Sequence, residues 1–101
     1  MALWPIPGSV ISFVTGGTSV SEEFPPSLFA EADYIAVSTE TEDASWRTGK
    51  GATVALVTDP YAIKTPMPPQ IYRKLRGHDT VAAITSGGVG VFKAWLLRDR
   101  A

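Results

Sequence analysis

The single histidine, His78, stands beside Asp79 in "RGHDT". An imidazole next to a carboxylate can serve as an oriented general base. No obvious nucleophile lies in the motif, and Gly77-His78-Asp79 is equally the composition of an ordinary turn. The stretch "TGKGAT" invites comparison with a phosphate-binding loop. Such a loop needs Gly five residues before the Gly-Lys pair and Ser or Thr after it, and here Ala44 and Gly51 stand at those places. Glu40, Glu42 and Asp43 form an acidic cluster without the Asx-Gly pattern of a calcium loop, so they read as a solvated turn. Glu22 or Glu23 with Asp33 offers the paired carboxylates of glycoside cleavage, in a chain too short to suggest the long groove that chemistry uses. With one histidine and no cysteine, thiolate ligands, disulfides and a cysteine nucleophile are excluded. The expectation is therefore no catalytic residue, no metal and no cofactor. What is left is a candidate ligand surface of Tyr34, Trp46 and Arg47 around "WRTGKG", where aromatic faces and a guanidinium could receive a sugar.

The elements that would position these groups read as strands. Nine Gly and eight Pro punctuate short runs rich in Val, Ile, Thr and aromatics, which predicts many short strands rather than helices. The predicted strands are Ser9–Thr15, Thr18–Phe24, Tyr34–Glu40, Ser45–Thr48, Thr53–Thr58, Gln70–Arg76, Thr80–Thr85 and Val89–Leu97. "SLFAEA" after Pro25 and Pro26 suits either one helical turn or a loop at a strand edge. "TGGT" (15–18) and "SGGV" (86–89) each place Gly-Gly between two runs, as a primed hairpin turn would. A further hairpin is expected between Ser45–Thr48 and Thr53–Thr58. The segment "DPYAIKTPMPP" holds four prolines that cannot donate to a ladder, so it is an edge, a crossover or an arm. The fold class that follows is all-β: an antiparallel sandwich or jelly-roll-like small barrel in a single domain, with a proline-containing arm at residues 1–8 and the sandwich at 9–101.

A length of 101 residues supports one core, with little stability to spare unless the chain oligomerises. "MALWPIPG" lacks the basic start of a signal peptide, and no apolar run approaches a membrane span, so the expectation is a protein made in a cytoplasm with no membrane partner. Charge is uneven along the chain. Residues 1–60 carry Arg47 and Lys50 against Glu22, Glu23, Glu31, Asp33, Glu40, Glu42, Asp43 and Asp59, whereas residues 61–101 carry seven basic side chains against Asp79 and Asp99. The two halves either neutralise each other inside one subunit or meet between subunits. A net charge of −1 argues against nucleic acid as partner.

The last predicted strand has two largely apolar rows, Val89-Val91-Lys93-Trp95 and Gly90-Phe92-Ala94-Leu96. One row fills the core, and the other needs a loop, the 1–8 arm or another subunit. Assembly rather than chemistry is the expected use of such residues, with Trp4, Tyr72, Arg73, Phe92 and Trp95 as interface anchors.

The order of segments "VTGGTSVSEEFP", "DYIAVSTETEDASWRTGKG", "IKTPMPP" and "HDTVAAITSGGVGVFKAWL" resembles small tailed-bacteriophage virion proteins that decorate or cement capsids. This chain departs from the commonest form of that pattern in ending on "RDRA" rather than a glycine-rich tail. The resemblance implies a β-sandwich in the virion, a homotrimer bound to the major capsid protein or other virion proteins, and no enzymatic activity. A tail or connector protein of the same kind of particle, and a carbohydrate- or host-surface-binding module built on Tyr34, Trp46 and Arg47, are the alternatives.

Overall fold

The structure, a computed structural model, describes residues 2–40, 42–55, 61–63, 69–85 and 88–99, with the backbone alone at 61–63. Its strands are β1 (Leu3–Pro5), β2 (Ile11–Thr15), β3 (Val20–Glu23), β4 (Tyr34–Glu40), β5 (Ala44–Gly49), β6 (Tyr61–Ile63), β7 (Gln70–Arg73), β8 (Thr80–Thr85) and β9 (Gly90–Asp99). One helix, α1 (Pro26–Glu31), follows Pro25 and uses Pro26 in its first turn, where a missing N–H costs nothing. The strands form two antiparallel sheets in one all-β sandwich. Sheet A runs β1/β2-β9-β4-β7 and sheet B runs β3-β8-β5-β6.

The two expected Gly-Gly hairpins do not form. β2 pairs with β9 and β3 with β8, while β8 and β9 lie in opposite sheets, so the chain changes sheet both between β2 and β3 and between β8 and β9. β9 explains the difference: β1 and β2 occupy one flank and β4 the other, so no edge is left for β8. The arches are fixed by threonines that close β2 and β8. Buried Thr15 donates its hydroxyl to the Ala83 carbonyl of the other sheet (2.8 Å), and the Thr85 N–H donates to the Gly16 carbonyl (2.9 Å). Gly90 allows the β4–β5 connection to close in, because a Cβ there would lie 3.1 Å from the Glu40 carbonyl oxygen.

The predicted Ser45–Thr48/Thr53–Thr58 hairpin is also replaced, since β5 pairs with Tyr61–Ile63. That strand ends sheet B, an edge position inside the proline-rich segment. Residues 53–55 instead cross the outer face of sheet B, and 56–58 lie outside the described residues. Thr53 packs over Gly49, where a Cβ would meet its hydroxyl at 2.5 Å, and the Ala55 N–H donates to Ser19 Oγ (2.8 Å). Gly49 ends β5 and Ser19 precedes β3, so this strap crosses β8 and roofs Ala82, which is wholly buried on the side away from the core.

Alternation sets the core. Phe92, Ala94 and Leu96 of β9 point inward with Ile11, Phe13, Ile35 and Val37, and sheet B answers with Ala44, Trp46, Val81 and Ala83. Trp46 reaches across to both flanks of β4: its ring meets Tyr72 of β7 edge-on at 4.9 Å and Phe92 of β9 at 6.3 Å. Phe24 and Phe29, stacked at 6.0 Å, close the sandwich where α1 lies.

Residues 1–8 contribute β1 to the sheet. β1 and β2 together make one interrupted neighbour of β9, with the detour between them passing through Gly8 at φ 78°. Ser9 mends the interruption. Its hydroxyl donates to the Ile6 carbonyl (2.7 Å) and accepts the Leu96 N–H (3.0 Å), in place of the backbone partner that the detour removes. Ser9→Ala would leave a buried amide unsatisfied, so a loss of about 1–3 kcal/mol is expected in urea unfolding, with faster hydrogen exchange at the Leu96 amide.

Candidate functional site

The outer face of sheet A follows from the register. Val14, Val91 and Glu40 lie across it nearest the arches, then Ser12, Lys93 and Ser38, then Trp95, Ala36 and Ile71, and finally Pro5, Leu97, Tyr34 and Arg73 beside the helix. Two apolar bands are thus separated by a polar one. Ile71 and Val14 are 51% and 61% exposed, whereas Leu97 and Ala36 are buried although they belong to no core cluster. The second face of β9 is therefore partly covered by flanking side chains of its own chain, with Trp95 half-buried among them.

The expected interface anchors divide. Trp95 and Arg73 share the outer face of sheet A, where the Arg73 guanidinium lies 5.9 Å from the centre of the Tyr34 ring. Trp4 is 56% exposed at the helix end of the sandwich. Phe92 is corrected: it is wholly buried in the core, because it belongs to the inward row of β9. Tyr72 is also turned inward, half-buried against Trp46 with its hydroxyl bonded to Gln70. Ile71 and Val14 are surface residues that the sequence reading passed over. The alternation in "QIYR" and "ISFVT" carries that signal once the aromatic row is assigned inward.

The proposed ligand platform is not assembled. Trp46 is 1% exposed between the sheets, Tyr34 lies on the outer face of sheet A, and Arg47 lies on the outer row of β5 in sheet B. No ligand can touch all three.

The motifs with chemical promise resolve into turns. The Thr48 hydroxyl lies 2.9 Å from His78 Nδ1, while the Asp79 carboxylate accepts the Gly51 N–H (3.3 Å) and the Thr80 hydroxyl (3.1 Å). Asp79 is thus engaged away from His78. The same bond places a carboxylate on a backbone N–H of the "TGKG" turn, which opposes an incoming phosphate. Among the described residues, no group of three His, Asp or Glu side chains converges as a metal site.

Two clefts lie at the helix end. One, about 240 Å³, is lined by Trp4, Pro5, Ile6, Pro7, Leu28, Glu31 and Arg98, with the Arg98–Glu31 ion pair (3.2 Å) among its walls. Its proline and aromatic walls suit an apolar side chain. The other, about 340 Å³ and open, is lined by Asp33, Tyr34, Arg73 and Asp99. Arg98–Glu31 and Lys93–Glu40 (3.1 Å) each join a base of the second half of the chain to an acid of the first. For these groups the charge asymmetry is neutralised within the chain. All four side chains are substantially exposed, so each pair contributes under about 1 kcal/mol.

Trp46→Ala tests the reassignment of that residue from ligand surface to core. Truncating a buried tryptophan is expected to cost about 3–5 kcal/mol, read as a lowered denaturation midpoint, while Arg47→Ala leaves the midpoint nearly unchanged. No protein-family model, no curated protein and no solved structure matches this chain.

Proposed function

We propose that the protein is a non-enzymatic structural component of a bacteriophage virion, a capsid decoration or cement protein. It acts as a homotrimer that binds the major capsid protein, or other virion proteins, and stabilises the shell. The observation that carries this reading is the outer face of sheet A, where Val14 and Ile71 extend two apolar bands into solvent around Trp95. Apolar bands divided by a polar strip give a flat, rigid surface that can dock without reordering the backbone. The sandwich itself, with three arches tied by threonine hydroxyls, suits a part that carries load rather than one that moves.

The carbohydrate-binding alternative loses its platform with Trp46 in the core. A tail or connector protein shares the same fold and differs in its binding partner.

Light scattering on the purified chain, alone and mixed with capsid shells, tests the reading. The expected outcome is the mass of three chains and co-sedimentation with shells, at an interface of about 1,200–2,000 Å² per contact. Ile71→Asp combined with Trp95→Ser should weaken shell binding by about a hundredfold or more, the loss of two anchor residues, with the trimer intact. A monomer that ignores shells overturns the reading, and binding to tail assemblies instead moves the protein to the connector class.

A further inference from the structure

Among the described residues four strand edges have no paired neighbour, and they differ in charge. On one lateral side of the sandwich lie β1/β2 and β3, and on the other lie β6 and β7. β3 presents Glu22 and Glu23, both exposed and with no ion pair among the described residues. β7 presents exposed Arg73, and exposed Arg76 follows in the connection from β7 to β8, again with no ion pair among the described residues. Lys74 is spoken for, since its ammonium bonds the Phe29 carbonyl (2.8 Å) over the Phe29 ring. Glu22 and Glu23 therefore stand on the opposite lateral side from Arg73.

They also stand at the same height. Glu23 runs directly into Phe24 and α1, and Arg73 pairs with Tyr34, which follows α1, so both groups lie at the end that the helix closes. Both edges are four residues long. A contact joining two different sides of one molecule is head-to-tail, and it closes into a ring when successive copies are related by rotation without a rise. Equal height removes the rise, and the rotation at the contact then sets the number of copies in the ring.

We propose that copies of this chain associate head to tail, the β7 edge with Arg73 and Arg76 of one copy against the β3 edge with Glu22 and Glu23 of the next. This rests on the self-association in the reading above and names its surface. The second copy is the occupant because its charges match: the acids that β3 leaves unpaired are answered by the bases beside β7. Carboxylates on the edge of β3 also repel strands that lack this complement, which restricts the edge to the right neighbour.

Charge reversal tests the contact, with light scattering as readout and the unfolding midpoint as a check on folding. Glu22→Lys with Glu23→Lys, and separately Arg73→Glu with Arg76→Glu, should each convert the trimer to the mass of a single chain. The neutral pairs Glu22→Gln with Glu23→Gln and Arg73→Gln with Arg76→Gln should weaken it in the same direction, should a reversed chain fail to fold. All four reversals in one chain restore complementarity and should restore the trimer. An equimolar mixture of the two reversed chains can only alternate, so it should give even-numbered or open assemblies and no trimer.

A mass unaffected by either reversal, or no recovery in the fourfold variant, overturns the proposal. So does survival of the oligomer in Arg73→Glu with Arg76→Glu, which would mean that β7 meets its own copy. Trimers that respond to reversal yet ignore shells overturn the capsid reading and leave the edge contact standing. Shell binding by a chain whose mass ignores reversal does the opposite.

Discussion

The sandwich depends on one side chain crossing its interior. Trp46 leaves sheet B and rests between Tyr72 and Phe92, which flank β4 in sheet A, so a single indole spans three strands of the opposite layer. The small residues around it follow from this. Ala83 faces Trp46 across the β5–β8 ladder and Ala44 shares its row on β5, leaving room for a large ring where a second large side chain would overfill the layer. Beyond the ring the gap is filled by Phe13 against Phe92 (5.5 Å), and at the helix end by Phe24 and Phe29. The core is thus an aromatic chain laid along the sandwich, with Ala44 and Ala83 beside the indole.

Parity was the legible part of this fold. The two rows of β9 read directly from "GVFKAWLL", and the inward row is Phe92, Ala94 and Leu96. The all-β class and the positions of β2 to β5 and β7 to β9 also follow from residue types, and an edge is one of the three places the prolines allow the segment 59–69. Pairing did not follow. Gly-Gly between two apolar runs suits a hairpin and an arch equally well at the level of backbone freedom, and for β8 and β9 what separates them is that both edges of β9 are taken. That depends on β1, three residues with a proline among them, which no local pattern marks as the strand that fills one end of β9's flank. The strap at 53–55 was missed for a related reason: Thr and Val favour strands, and only the glycine beneath Thr53 at position 49 shows that the chain lies flat on a sheet there.

The candidate surfaces were half legible. Trp95 and Arg73 lie on an outward row, while Trp46, Phe92 and Tyr72 turn inward, and residue type alone does not separate the two because aromatics serve both cores and interfaces. A domain of this size needs most of its aromatics inside, so the exposed anchors are the smaller Ile71 and Val14. The chain's charge asymmetry likewise has two uses. Part is spent on ion pairs that tie β9 to β4 and to α1, and Glu22, Glu23 and Arg73 stay exposed on edge strands.

The place of β9 has a consequence for how the molecule comes into being. It is the strand that β1, β2 and β4 all require as a neighbour, and it comes after every one of them in chain order. During synthesis on a ribosome, sheet A has no centre until the chain has emerged through Asp99, and β8, the centre of sheet B, appears only shortly before. β4 can pair with β7 and β5 with β6 beforehand, but β1 and β2 have β9 as their partner among the described strands and stay unpaired until it is made. Pairing of this non-local kind makes folding slow for the number of residues involved, on the scale of milliseconds to seconds that such sheets show.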